Sequence, residues 1–266
     1  MITITKAKTA RIEKQVESVK EWKNVAENAF NYRMKTVKRA NGYVQITVPD
    51  AIHKLAGLLA INTSITNNPC CIARRNKALK CGDCGHVCLG CYASNLMYGW
   101  MYKPAEQLCL YNQYLLTNHL LSEDEIKHID LVPDKTVRFE MFGDTSNTTQ
   151  AENYVRIPQY WDKNNFGVWS KNIGHYKMAF NKYGKPKNMS FVKSSEHLNI
   201  VDDVKEDEWF VDVIFTVCDD INEYERLIKQ YNGVACAGVS CMGCMACYNY
   251  RRKDDKVLYV FELLRK

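Results

Sequence analysis

Two tight groups hold eight of the twelve cysteines in this chain of 266 residues. The first lies in CGDCGHVCLGCY, residues 81 to 92, with thiols at Cys81, Cys84, Cys88 and Cys91. Its last three members are spaced C-x3-C-x2-C. Gly82, Gly85 and Gly90 let such a loop fold tightly enough for several sulfurs to face one centre. The second group is Cys236, Cys241, Cys244 and Cys247, spaced C-x4-C-x2-C-x2-C, with Gly238 and Gly243 permitting a similar wrap. Thiolates at these spacings are ligands of zinc or of an iron–sulfur cluster. Isolated core cysteines do not group in this way. A disulfide framework belongs to short secreted chains. The opening MITITKAKTARIEK has no apolar stretch of the signal-peptide kind. No run of about 18 apolar residues is present. The reading is therefore a metal-binding protein of a reducing cytoplasm that spans no membrane.

The formal net charge is +6, and residues 1–40 alone carry ten Lys/Arg against four Asp/Glu. The excess is thus N-terminal. A basic arm of this kind contacts nucleic acid or another anion, or forms a solvated helix face. A second basic run, Arg74, Arg75, Lys77 and Lys80, precedes the first cysteine group and is a candidate contact for an anionic substrate.

The elements that must position these residues follow from periodicity. Val16, Val19, Trp22 and Val25 predict a helix over roughly residues 13–35. GYVQITVP alternates as a strand that stops at Pro49. Residues 51–59 read as a short helix or turn, and LLAINTSI, 58–65, as a buried strand. TNNPCCIARRNKALK, 66–80, reads as a long polar loop that delivers the first thiols. Pro104 starts a helix through residue 121, with Cys109 on its apolar face. Strands are predicted at 136–142, 166–172, 188–195, 209–217 and 233–238. Helices are predicted at 147–163, 175–183 and 222–231. KVLYVFELLRK, 256–266, is strand or helix. The alternation from residue 58 onward predicts an α/β fold with a parallel sheet, open or curled, of about six strands. Sites in this architecture lie at the carboxyl ends of the strands. Both cysteine groups, Gly143-Asp144, Ser170-Lys171 and Ser194-Ser195 follow strands, so they should share one mouth. Asp144, Ser194 and Ser195 would serve equally as helix caps. His86, inside the first motif, reads as a solvent-facing loop residue, with a metal ligand or a donor to one as the alternative. Trp161, Trp169 and Trp209 read as core or pocket wall.

The C-x3-C-x2-C motif after a first strand resembles the cluster motif of the radical S-adenosylmethionine (SAM) superfamily. The resemblance spans roughly residues 58–247. It implies a [4Fe-4S] cluster on Cys84, Cys88 and Cys91, with a fourth iron open to SAM. It also implies a partial (β/α)6 barrel. Phe142-Gly143-Asp144 stands where that family has its glycine-rich stretch, and Tyr92 follows the last cysteine where the family has an aromatic before it. By the same resemblance Asp144 takes the methionine ammonium, while Ser170, Lys171 and Ser194 meet the carboxylate and ribose. More closely, CYA at Cys91–Ala93, RFEMFGD at Arg138–Asp144, the Ser170-Lys171 strand end and CMGCMACY at Cys241–Tyr248 resemble the phage family of gene product 88. That resemblance implies a phage origin and the host cytoplasm.

These readings divide the chain into a basic extension, residues 1–57, and a barrel-like unit with Cys-rich metal loops, residues 58–266. They predict a radical SAM-like enzyme whose second thiol group holds an auxiliary [4Fe-4S] cluster or a zinc ion. Cys70, Cys71 or Cys81 as a fourth ligand would close the first cluster and exclude SAM. The alternative is a non-catalytic iron–sulfur or zinc protein that meets nucleic acid or a host protein through its basic segments.

Overall fold

The computed structural model describes residues 36–39, 44–49, 54–82, 85–94, 103–129, 131–236, 238, 240–254 and 256–264. The helix predicted over residues 13–35 lies outside these. Strands β1 (Thr36–Arg39), β2 (Gln45–Val48) and β3 (Leu59–Ile61) pair antiparallel in turn. From β3 onward every pair is parallel: β4 (Thr136–Phe139), β5 (Asn165–Ser170), β6 (Met189–Ser194) and β7 (Val213–Cys218) follow in chain order. Then β9 (Leu258–Leu263) inserts between β7 and the short β8 (Val234–Ala235). The result is one open nine-stranded sheet, ordered β1-β2-β3-β4-β5-β6-β7-β9-β8. The α/β class and the mostly parallel sheet agree with the sequence reading.

Side-chain alternation divides the two faces of the sheet. Val137 and Phe139, Phe166 and Val168, Met189 and Phe191, and Ile214 point to one face. There they pack against Tyr154 and Val155 of α4 (Thr148–Tyr160) and Tyr176 and Phe180 of α5 (Ile173–Tyr183). Further along the same face Cys218 and Phe261 meet Leu227 of α6 (Ile221–Tyr231). The opposite face carries Ala60, Trp169, Val192, Val213 and Val260. Leu108 and Cys109 of α2 (Lys103–Asn118) join them, and the half-buried Cys71, Cys91, Cys236, Cys241 and Cys247 pack against them.

Several boundaries differ from expectation. Residues 69–81 form a helix, α1 (Pro69–Cys81), where a polar loop is predicted. The side chain of Asn68 caps it by accepting from Cys70 N and Cys71 N, Pro69 opens it, and Gly82 ends it at φ 61°. Helix α2 (Lys103–Asn118) is as predicted, and α3 (Glu123–Lys127) adds a turn closed by a Ser122–Glu125 capping box. β7 starts at Val213, not at residue 209. Phe210 and Val211 are buried as a turn, and Trp209 is 48% exposed, so it is neither core nor pocket wall. No helix joins β6 to β7. The segment predicted as strand or helix from residue 256 onward holds strand β9, Leu258–Leu263. Two single-turn helices, α7 (Cys241–Cys244) and α8 (Ala246–Asn249), carry the late thiols. Among the described residues no helix is long and apolar enough to cross a membrane.

Candidate functional site

Residues that follow the parallel strands converge on a cavity of about 1000 Å³. Its wall includes Cys71, Cys88 and Cys91 on one side and Cys236, Cys241, Cys244 and Cys247 on another. Gly143, Asp144, Ser170, Lys171 and Ser194 line it as well. The shared mouth expected from the strand order is therefore present. Cys84 lies outside the described residues.

The first thiol loop is fastened to the segment after β6. Val87 N donates to Glu196 O at 3.0 Å, and Leu198 N donates to Gly85 O at 2.7 Å. His86 and His197 face each other across this bridge, their rings 5.1 Å apart. His86 is thus buried at 6% exposure, contrary to the solvent-facing reading. Its Nδ1 accepts from Cys88 N, which fixes the turn before Cys88. Cys71 enters from α1 and lies close enough to Cys91 and Cys88 for their charges to raise its pKa. The sequence offers it, with Cys70 and Cys81, as a fourth ligand to the first cluster, and of these Cys71 lines the cavity. Cys70 turns away and bonds to Ser146 O.

The late thiols are held by backbone contacts to distant elements. Cys236 N donates to Phe261 O of β9 at 2.7 Å, and Cys241 N donates to Lys54 O at 2.8 Å. Ser240 caps α7 through Gly243 N. Gly238, at φ 64°, sits in the left-handed region as the tight wrap predicts. Gly243 does not: the reversal falls on Met245, at φ 53°. Lys54 pairs with Glu262 at 2.5 Å and feels the charge of Cys236.

Burial is the first cause of raised thiol pKa values here: Cys88 and Cys241 rise, Cys71 rises well above its ordinary value, and Cys247 is pushed up to about 12. Neighbouring thiols add to the shift within each group, while Lys171 and Arg74 oppose it at Cys88, and Arg138 and Lys54 oppose it at Cys241. A metal ion must displace these protons, so its binding is coupled to pH. Among the described residues no three His, Cys, Asp or Glu side chains converge tightly enough to hold a metal ion. The donor chemistry nonetheless suits a thiophilic centre: soft sulfurs in mutual range, with cations beside each group.

Asp144 is not a helix cap, because Asn147 caps α4. Its Oδ1 accepts from Ser170 Oγ at 2.6 Å and Thr145 N at 2.7 Å. Its Oδ2 accepts from Lys171 N at 3.2 Å and meets Arg74 at 3.5 Å. These donors fill the acceptor capacity of one carboxylate. Arg74 also donates to Glu196, Lys171 O and Asn172. It is a strut inside the wall, and only the exposed Lys77 and Lys80 of that basic run face outward. Ser195 does not cap a helix either; it pairs with Thr216 of β7 at 2.9 Å.

Two groups in RFEMFGD escaped sequence reasoning. Glu140, at φ 59° and 3% exposed, accepts from Thr63 N, Thr63 Oγ, Gln150 Nε2 and Tyr154 Oη. Burial pushes its pKa up to about 8 against the pull of those donors. Arg138 lies over the Trp169 ring, 4.0 Å from the centroid. Their shared parity in a strand with apolar alternate positions was the available signal.

Fold and site together define an α/β protein with a thiol-lined cavity at the carboxyl edge of a parallel sheet. Comparison with protein-family models, with curated proteins and with solved structures found no match.

Proposed function

We propose that the chain is a radical SAM-like iron–sulfur enzyme, with a [4Fe-4S] cluster on Cys84, Cys88 and Cys91 and a second metal centre on Cys236, Cys241, Cys244 and Cys247. One observation carries the reading: thiols from segments far apart in the chain line one cavity together with Gly143, Asp144, Ser170, Lys171 and Ser194. The partial (β/α)6 barrel draws support from the fold. Strands β3 to β7 lie in chain order, and α4, α5 and α6 pack on one face, while α2 reaches the other through Leu108 and Cys109.

When bound, the first cluster supplies one electron to the sulfonium of SAM. The chain's own residues bind, orient and shield. Asp144 sets the Ser170 hydroxyl and the Lys171 amide, and Arg74 locks that corner to Glu196. Leu55, Ile65, Met141, Phe142 and Val260 give the cavity an apolar lining that excludes water. Lys54 and Arg138 place positive charge near the late thiols, as a thiolate-rich centre of net negative charge requires.

Anaerobically purified protein should be brown, absorb broadly near ~400 nm and contain iron and sulfide. Under a strong reductant it should cleave SAM to 5′-deoxyadenosine. Replacing Cys241 and Cys244 together with Ala should remove about half the metal and lower stability, since metal binding is coupled to folding. Colourless protein holding only zinc overturns the reading. A brown protein that leaves SAM intact points to a closed first cluster, for which Cys71 is the described thiol nearest to hand, and to the non-catalytic alternative.

A further inference from the structure

Arg138 stands inside the cavity with no carboxylate ion-paired to it among the described residues. Among the described residues it makes no ion pair, its Nε is sealed from solvent without a partner, and the Tyr248 hydroxyl stands beside the guanidinium. The Trp169 ring lies beneath the guanidinium. Trp169 in turn packs on Tyr248, with ring centroids 4.9 Å apart. Burial holds the Tyr248 phenol well above its ordinary pKa, so it stays neutral beside the guanidinium and does not cancel the charge. The accessible part of Arg138 faces the cavity. Burial works against its charge, but the nearby Tyr248, Tyr92 and Cys241 outweigh this and hold its pKa above the ordinary value. It stays a guanidinium at every working pH.

A buried cation is destabilising unless an anion meets it. Two other cations along this wall already have one: Arg74 has Asp144 and Glu196, and Lys54 has Glu262. The thiol of Cys241 lies in electrostatic range, yet no hydrogen bond from Arg138 reaches any sulfur. Trp169 holds the guanidinium plane fixed, which is the arrangement that presents two N–H groups side by side to a planar or tetrahedral oxyanion. Trp169 and Tyr248, both in the apolar cluster on this face, flank it with aromatic surface.

We propose that Arg138 is the anchor for an oxyanion, carboxylate or phosphate, carried by the molecule that enters the cavity, with Trp169 fixing its guanidinium. This deepens the reading above by naming the substrate class, and it depends on the cavity as a binding site rather than on which metal the thiols hold.

The test uses the full chain and four small probes: benzoate, phenyl phosphate and the uncharged benzamide and phenol. Binding is read by thermal shift and by tryptophan fluorescence, without SAM or reductant. At least one charged probe should raise the melting temperature and perturb the fluorescence of the wild-type protein, while benzamide and phenol should not. The better of benzoate and phenyl phosphate separates carboxylate from phosphate. R138Q should weaken binding by roughly tenfold or more, and R138K, which keeps charge but loses the fork, by an intermediate factor. Equal response to charged and uncharged probes, or none, overturns the proposal on wild-type protein alone, whether or not the variants fold. Undiminished binding by R138Q overturns it as well. A colourless protein that binds benzoate through Arg138 sinks only the cluster reading, and a brown one that binds no probe sinks only this one.

Discussion

Glu140→Gln offers the sharpest test of the electrostatics behind the cavity. Glu140 is almost fully buried, and its pKa is pushed up to about 8 from an ordinary value near 4.5. Between those values the folded chain holds a proton that the unfolded chain has released. Stability from this group is therefore complete below about pH 4.5 and is lost as pH rises through 8, a change of up to about 4–5 kcal/mol. The nearby charge of Asp144 acts in the same direction. The other titratable neighbours, Cys109, Tyr154 and Tyr176, are held well above their ordinary values by burial and stay protonated across this window. Glutamine is neutral in both states, so E140Q removes the pH-dependent part. It also leaves one donor, such as Gln150 Nε2, without its acceptor, a pH-independent cost of about 1–3 kcal/mol. Urea unfolding of both proteins from pH 5 to pH 8.5 measures the difference. E140Q should be the less stable protein at pH 5, and toward pH 8.5 the difference should move in its favour by about 3–4 kcal/mol, so that the gap closes or reverses. A gap that stays constant refutes the reasoning. It would mean that the four donors keep the carboxylate ionised in the folded protein.

Two further substitutions test the supports of the site. Asn68→Ala removes the cap of α1 and should cost about 1–2 kcal/mol in urea unfolding, while displacing Cys71 from the cavity wall; an unchanged midpoint contradicts it. Gly143→Ala combines φ 91° with a new methyl 2.7 Å from Glu140 and 2.8 Å from Thr63, and should cost about 2 kcal/mol or more. Wild-type thermal stability in that variant would show that the turn after β4 is not held as described.

Much of the frame was legible because strand periodicity and helix stops were strong. Val137 and Phe139, Phe166 and Val168, and Met189 and Phe191 alternate cleanly, and α5 ends at Gly184. Helix α1 was missed because it shows almost no apolar stripe: Ile72 is 39% exposed, Leu79 is 55% exposed, and Ala78 is buried. Its ends, Asn68-Pro69 and Gly82, carried the information instead. The start of β7 was overread because Phe210 and Val211 are as apolar as strand residues but are buried from a turn, where tertiary packing overrides propensity. The thiol groups were legible from spacing alone. The roles of Cys71, Glu140 and Arg138 were not, because each depends on neighbours brought together only by the sheet.

The late insertion of β9 has a consequence for the order of assembly on the ribosome. β8 is synthesised first, but its ladder partner is β9, and Cys236 N bonds to Phe261 O of that later strand. Parallel pairing of this kind waits for both strands to leave the exit tunnel. A nascent chain that has reached α8 can already set Cys71, Cys88 and Cys91 against β3 to β7, while Cys236 still lacks its dock. The first thiol group can therefore take its place on the sheet before the second does.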